Sequence, residues 1–115
     1  MYRILLVEDD PDVGMLLEHA LLGAGYKVSR AATAAAAELL LAHRPHDLLL
    51  ADVGLPDGNG VDIADRASGL GIKTLILTGH ALRTPPGQLD RHEYLMKPIR
   101  PRELLAVIDR LLASS

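Results

Sequence analysis

Four short apolar runs in the chain each end on a side chain that phosphoryl chemistry can use. Glu8 and Asp9 follow Ile4-Leu5-Leu6-Val7, Asp52 follows Leu48-Leu49-Leu50-Ala51, Thr78 follows Leu75-Ile76-Leu77, and Lys97 follows Tyr94-Leu95-Met96. A carboxylate attacks an anionic phosphoryl group poorly unless charge is neutralised on both, and a hard divalent cation held by oxygen ligands does this. Glu8 and Asp9 can supply such a site beside Asp52, because Mg²⁺ needs only one or two carboxylates, with waters and phosphate oxygens completing its shell. Lys97 can pair with the acceptor carboxylate and then with a phosphoryl oxygen, and Thr78 can donate a hydrogen bond to another. The set suits a phosphoryl-accepting site better than a hydrolytic one.

These groups meet only if the apolar runs are parallel strands of one open sheet, whose carboxyl ends form the ligand-binding edge of α/β folds. The rest of the chain fits that requirement, because short continuous apolar runs alternate with helix-spaced ones. Strands are expected at 3–7, 27–31, 47–51, 73–77 and 93–96. Asp10 and Pro11 suit the N-cap and first position of a helix that carries Val13, Leu16, Leu17, Ala20, Leu21 and Ala24 and stops at Gly25. Thr33 can cap a second helix, built on the alanine run, with Leu39 and Leu40 on its buried side. Gly54-Leu55-Pro56-Asp57-Gly58 is turn chemistry, and Asn59 can cap a third helix carrying Val61, Ala64 and Ala67, with Asp62 in its first turn. Pro101 opens a last helix with Leu104, Leu105, Ile108, Leu111 and Leu112 on one face. Between Gly79 and His92, Pro85-Pro86 and two glycines leave little room for a full amphipathic helix.

The composition bounds the function. At 115 residues the chain is expected to be one domain, 1–115, with an aliphatic core, since Phe and Trp are absent. A formal charge of −3 gives no electrostatic footprint for nucleic acid or an anionic membrane. No apolar run approaches the ~18 residues of a membrane span and no signal-peptide pattern opens the chain, so the cytoplasm is the expected location. With no cysteine, disulfides, thiolate metal sites and cysteine nucleophiles are excluded. Met15 and Met96 read as core filler, and the histidines at 19, 43, 46, 80 and 92, without convincing metal spacing apart from His43 and His46 at i, i+3, read as surface residues.

Five segments in order, Ile4-Leu5-Leu6-Val7-Glu8-Asp9-Asp10, Leu49-Leu50-Ala51-Asp52, Leu55-Pro56-Asp57-Gly58-Asn59-Gly60, Leu77-Thr78-Gly79 and Tyr94-Leu95-Met96-Lys97-Pro98, resemble the response-regulator receiver domains of two-component signalling. The resemblance covers nearly the whole chain. It implies a flavodoxin-like, doubly wound, five-stranded parallel sheet of order 2-1-3-4-5 with helices on both faces. It also implies that Asp52 is the phospho-acceptor, that Glu8 and Asp9 hold Mg²⁺ directly or through water, and that the Gly54 carbonyl is a further ligand. Thr78 would be the switch hydroxyl, Lys97 the family's lysine, Tyr94 the switch aromatic, and Lys97-Pro98 a cis peptide. The donor would be a histidine kinase or histidine phosphotransfer protein, and an output protein or domain would read the switched face, with no direct contact to nucleic acid or membrane. Such a chain is not an enzyme beyond self-phosphorylation and slow self-dephosphorylation. Gly79 should leave the phosphoryl group accessible, and His80 is placed to affect its lifetime.

Two departures accompany the resemblance. The interval from Thr78 to Lys97 is short for the family, and Pro85-Pro86 falls where the fourth helix should be. This resembles a subgroup of stand-alone receivers, many linked to alphaproteobacterial stress signalling, and it predicts a short or mobile segment at 81–91. Arg100 stands where a capping Ser, Asp or Asn is common, which should weaken the last helix modestly. The competing readings are a Mg²⁺-dependent phosphatase or phosphotransferase, a flavodoxin-like or dinucleotide-binding module, and a degenerate receiver acting only as an interaction module. The first usually has a second Asp two positions after its nucleophile, where this chain has Gly54. The second lacks a Gly-x-Gly-x-x-Gly loop after the first strand.

Overall fold

The computed structural model describes residues 1–79 and 92–113. In chain order these form β1 (Arg3–Val7), α1 (Pro11–Gly23), β2 (Lys27–Ala31), α2 (Ala34–His43), β3 (Leu48–Asp52), β4 (Gly54–Leu55), β5 (Gly58–Asn59), α3 (Gly60–Gly69), β6 (Lys73–Thr78), β7 (Glu93–Met96) and α4 (Pro101–Ala113). Five strands make one parallel sheet of order β2-β1-β3-β6-β7. With β6 and β7 as its fourth and fifth strands, this is the expected 2-1-3-4-5 order of the flavodoxin-like fold. The expected turn at 54–58 is more regular than anticipated: β4 and β5 pair antiparallel, Gly54 opposite Asn59 and Leu55 opposite Gly58.

The central strands are apolar without interruption because both sheet faces are covered. Ile4 and Leu6 pack with Leu48, Leu50, Leu75 and Leu77 toward α1 and α4. Leu5 and Val7 pack with Leu49, Ala51 and Ile76 toward α2 and α3. Helix starts follow local chemistry. The Asp10 carboxylate accepts from the Asp12 and Val13 N–H groups with Pro11 in the first turn, Thr33 accepts from the Ala36 N–H, and Asn59 accepts from the Val61 N–H. Beyond α1, Gly25 takes a φ of +94°, which only glycine adopts without strain. Arg100 offers no side-chain acceptor, and α4 begins with the Leu104 N–H donating to the Arg100 carbonyl at 2.9 Å.

Several side chains depart from expectation. In α2 the sheet-facing residues are Ala37 and Leu41, one turn apart, while Leu39 is 62% exposed. Position 39 lies about 200° around the helix from position 37, so it cannot share that face. Met15 and Met96 are not core filler. Met15 falls beside the buried stripe of Gly14, Leu17 and Leu21, and Met96 ends the edge strand β7. His46 and His92 are buried rather than superficial, each bonded to another side chain. The segment 81–91, expected to be short or mobile, and His80 lie outside the described residues.

Candidate functional site

The carboxyl ends of β1, β3 and β6 sit side by side, because Val7 pairs with Ala51 and Asp52 pairs with Leu77. Past these ends the backbone stays tied: the Glu8 N–H donates to the Ala31 carbonyl at 3.0 Å and the Val53 N–H to the Leu77 carbonyl at 3.1 Å. Glu8 and Asp52 therefore leave the sheet as near neighbours. Lys97 arrives from the edge. Met96 pairs with Thr78, the Lys97 N–H donates to the Thr78 carbonyl at 2.8 Å, and the Lys97-Pro98 peptide is cis, as expected.

The Lys97 ammonium bridges the two strand ends. Its Nζ lies 2.9 Å from Asp52 Oδ2 and 3.1 Å from Glu8 Oε1. The second Glu8 oxygen accepts from the Asp10 N–H at 3.2 Å. One carboxylate oxygen from each of Glu8, Asp9 and Asp52 falls within 4.8 Å of the others, with Glu8 buried, Asp52 partly buried and Asp9 exposed. The three consecutive acids divide their labour, since Glu8 points inward, Asp9 joins the cluster from the solvent side and Asp10 caps α1.

The electrostatics follow from this arrangement. Burial raises the Glu8 pKa and the negative Asp52 adds to the rise, while the Asp10 N–H and the Lys97 ammonium oppose it. Burial alone would lower the Lys97 pKa, but the hydrogen bonds it donates to Asp52 and Glu8, together with their charge, reverse the sign and raise it. Hard oxygen donors around a partly exposed mouth match Mg²⁺ in ligand type and in number. The residues present thus fit the metal that the sequence implies.

Thr78 is buried at the end of β6, one residue past the partner of Asp52. Gly79 follows it exposed, and a Cβ added there would meet nothing within 4 Å. Gly54 lies two residues beyond Asp52 in the β4–β5 hairpin. Tyr94 sits on β7 opposite Ile76 with its side chain turned out, 45% exposed.

Three neighbours escaped the reading of the sequence. Gly60 packs directly on the end of β3, where a Cβ would stand 1.9 Å from the Asp52 carbonyl oxygen. The Asp57 carboxylate accepts from the Ala34 and Ala35 N–H groups at the start of α2. His92 lies between the Thr74 hydroxyl and the Asp65 carboxylate, 2.7 Å from each, and joins β6 to α3. Only the Leu-Pro-Asp-Gly-Asn-Gly run hinted at the first two, and nothing local signals the third.

Comparison with known proteins agrees with this geometry. The family model of the response regulator receiver domain matches residues 4–109. The response regulator receiver protein CpdR of Brucella abortus is 35% identical over 120 residues, covering 100% of both chains. A CheY-like receiver domain from Methanospirillum hungatei superposes with a TM-score of 0.92 at 32% identity, over 98% of this chain and 94% of that one. TrrA of Thermotoga maritima, solved in complex with Mg²⁺-BeF, gives a TM-score of 0.87 at 25% identity, over 96% and 99%. Further curated relatives are transcriptional regulatory proteins, of which the chain spans about half the length. Among the described residues, no helix is long and apolar enough to cross a membrane.

Proposed function

We propose, since this chain belongs to the family of response-regulator receiver domains of two-component systems, that residues 1–115 act as one phosphoryl-accepting switch in which Asp52 is the acceptor. Receiver domains are signalling domains rather than general catalysts, and what remains is which residues of this chain do the work. The observation that carries the assignment is the Lys97 ammonium held between Asp52 at 2.9 Å and Glu8 at 3.1 Å, with Asp9 completing the acidic group.

In the proposed reaction an Asp52 carboxylate oxygen attacks the phosphorus of a phosphohistidine. The P–O bond to Asp52 forms as the P–N bond breaks, and the electron pair returns to the imidazole, which takes up a proton on leaving. Glu8, Asp9, Asp52 and the Gly54 carbonyl would hold Mg²⁺, which when bound neutralises charge on the acceptor and on the phosphoryl oxygens. The complex of TrrA with Mg²⁺-BeF supports that part of the reading. Lys97 orients Asp52 beforehand and then pairs with a phosphoryl oxygen, while Thr78 donates to another. The product carries nearly two added charges at the sheet edge. Tyr94, turned out here, would rotate toward the space that Thr78 vacates, and the face around β6, β7 and α4 becomes the surface a partner protein reads.

The donor is a histidine kinase or phosphotransfer protein, and the reading places the chain in the cytoplasm, where such ATP-dependent donors are charged. Incubation with acetyl phosphate and Mg²⁺, followed by intact-mass and peptide mass spectrometry, should show one phosphoryl group on Asp52. Asp52→Asn should lose it while keeping the wild-type circular dichroism spectrum, and undiminished labelling of that variant would remove Asp52 from the role.

A further inference from the structure

We propose that Asp57 is a positioning residue that pins the loop after the acceptor to the N-terminus of α2 and thereby fixes Gly54 relative to Asp52. The inference rests on the reading of Asp52 and Gly54 as parts of one Mg²⁺ site and goes beyond it by naming what holds the two in register.

The loop is tied at both ends by its own neighbours. At its start the Val53 N–H donates to the Leu77 carbonyl at 3.1 Å, and at its end the Gly60 N–H donates to the Val53 carbonyl at 2.9 Å. Asn59 accepts from the Val61 N–H at 2.7 Å and so belongs to α3. The tip is held by a different element. Asp57 Oδ1 accepts from the Ala34 N–H at 2.7 Å and Oδ2 from the Ala35 N–H at 3.0 Å, so both oxygens of one carboxylate are committed across a separation of more than twenty residues. Those two N–H bonds hold the Asp57 carboxyl below its usual pKa.

The helix does not depend on this contact for its start. Thr33 already caps α2 by accepting from the Ala36 N–H at 3.1 Å, and the Asp57 contact is exposed, so water can serve Ala34 and Ala35 if the carboxylate is removed. The consequence falls on the loop instead. Gly54 pairs with Asn59 and Leu55 with Gly58, so the hairpin is a single ribbon with Asp57 at its turn. Gly58 also rests against α2, where an added Cβ would meet the Ala34 Cβ at 3.2 Å. Fixing the turn to α2 therefore fixes the opposite strand, which carries the Gly54 carbonyl two residues from Asp52.

The test is an NMR titration of the Gly54 amide with Mg²⁺ for the wild type, Asp57→Ala, Asp57→Asn and Thr33→Ala, alongside the acetyl phosphate labelling rate at saturating Mg²⁺. Asp57→Ala should weaken Mg²⁺ binding roughly tenfold, the lower end of what outer partners of a metal site cost. Its labelling rate at saturating Mg²⁺ should stay within about twofold of wild type, because the acceptor itself is untouched. Asp57→Asn, which keeps one acceptor oxygen, should fall between. Thr33→Ala should lower the melting temperature without weakening Mg²⁺ binding. An Asp57→Ala dissociation constant equal to that of wild type, or a Thr33→Ala loss as large as that of Asp57→Ala, would overturn the role. Wild-type protein that neither binds Mg²⁺ nor labels would instead overturn the site on which the role depends.

Discussion

Burial works against the charge on both Glu8 and Lys97, and the two respond differently because their partners differ in number. Lys97 faces two carboxylates, which more than offset its desolvation and raise its pKa. Glu8 has one N–H and a shared ammonium, with Asp52 pushing the other way, and its pKa rises toward the protonated form. A second raised pKa lies at the opposite end of the strands, where the Tyr26 hydroxyl donates to Asp109 and joins the strand-entry loop to α4. Burial and the adjacent carboxylate push the Tyr26 hydroxyl from 10.0 up to about 12. A raised pKa favours the protonated form in the folded state, so the stability it contributes is complete below pH 10 and disappears as pH climbs through about 12. In an absorbance titration of the phenols, Tyr26 should ionise late, near its raised value of about 12. Tyr26→Phe should remove the late step and cost only about 0.5 kcal/mol at neutral pH, after discounting for the exposure of the pair. A late step that survives in Tyr26→Phe would refute the contact.

At the scale of the element, the sheet edge demands close backbone approach as much as reactive side chains. Gly60 opens α3 directly against the end of β3, and the atom a Cβ would strike at 1.9 Å is the Asp52 carbonyl, which has no rotamer through which to escape. Gly60→Ala should therefore cost about 3 kcal/mol or more in a urea titration and slow acetyl phosphate labelling by displacing Asp52. Gly79→Ala, with open space around it, should change stability by less than about 0.5 kcal/mol. Equal effects of the two would contradict the packing. Strands and caps were legible in the sequence because their signals are local: unbroken apolar runs for β1, β3 and β6, and Asp10, Thr33 and Asn59 immediately before their helices. Glu8, Asp9, Asp52, Thr78 and Lys97 could be singled out for the same reason, each ending such a run. The buried face of α2 was not legible, because alanines and leucines occupy nearly every position and one wrong phase turned Leu39 inward. Asp57 and His92 were missed because their partners lie on other elements, and a residue's own neighbours in the chain do not reveal which helix the topology brings beside it.

At the scale of the whole molecule, the acidic edge is a cost that the fold carries until a cation arrives. Glu8 and Asp9 leave β1 and Asp52 leaves β3, so their oxygens come within 4.8 Å of one another only when the sheet is assembled. The unfolded chain has no comparable cluster, and it already carries a net charge of −3. Mg²⁺ should therefore bind the folded state selectively and stabilise it by mass action, about 2.7 kcal/mol at a hundredfold excess over its dissociation constant. Thermal melts in EDTA and in increasing MgCl₂ should show a midpoint that climbs with the logarithm of Mg²⁺, while NaCl at matched ionic strength should leave most of the shift unmade. Asp52→Asn should melt at or above the wild-type temperature in EDTA, because the remaining carboxylates lose a like-charged neighbour and Lys97 can turn fully to Glu8. In Mg²⁺ the order should reverse, because the variant has given up a ligand. A wild-type midpoint insensitive to Mg²⁺ would mean that the three carboxylates do not act together on one ion, and the phosphoryl-acceptor assignment would lose its cation.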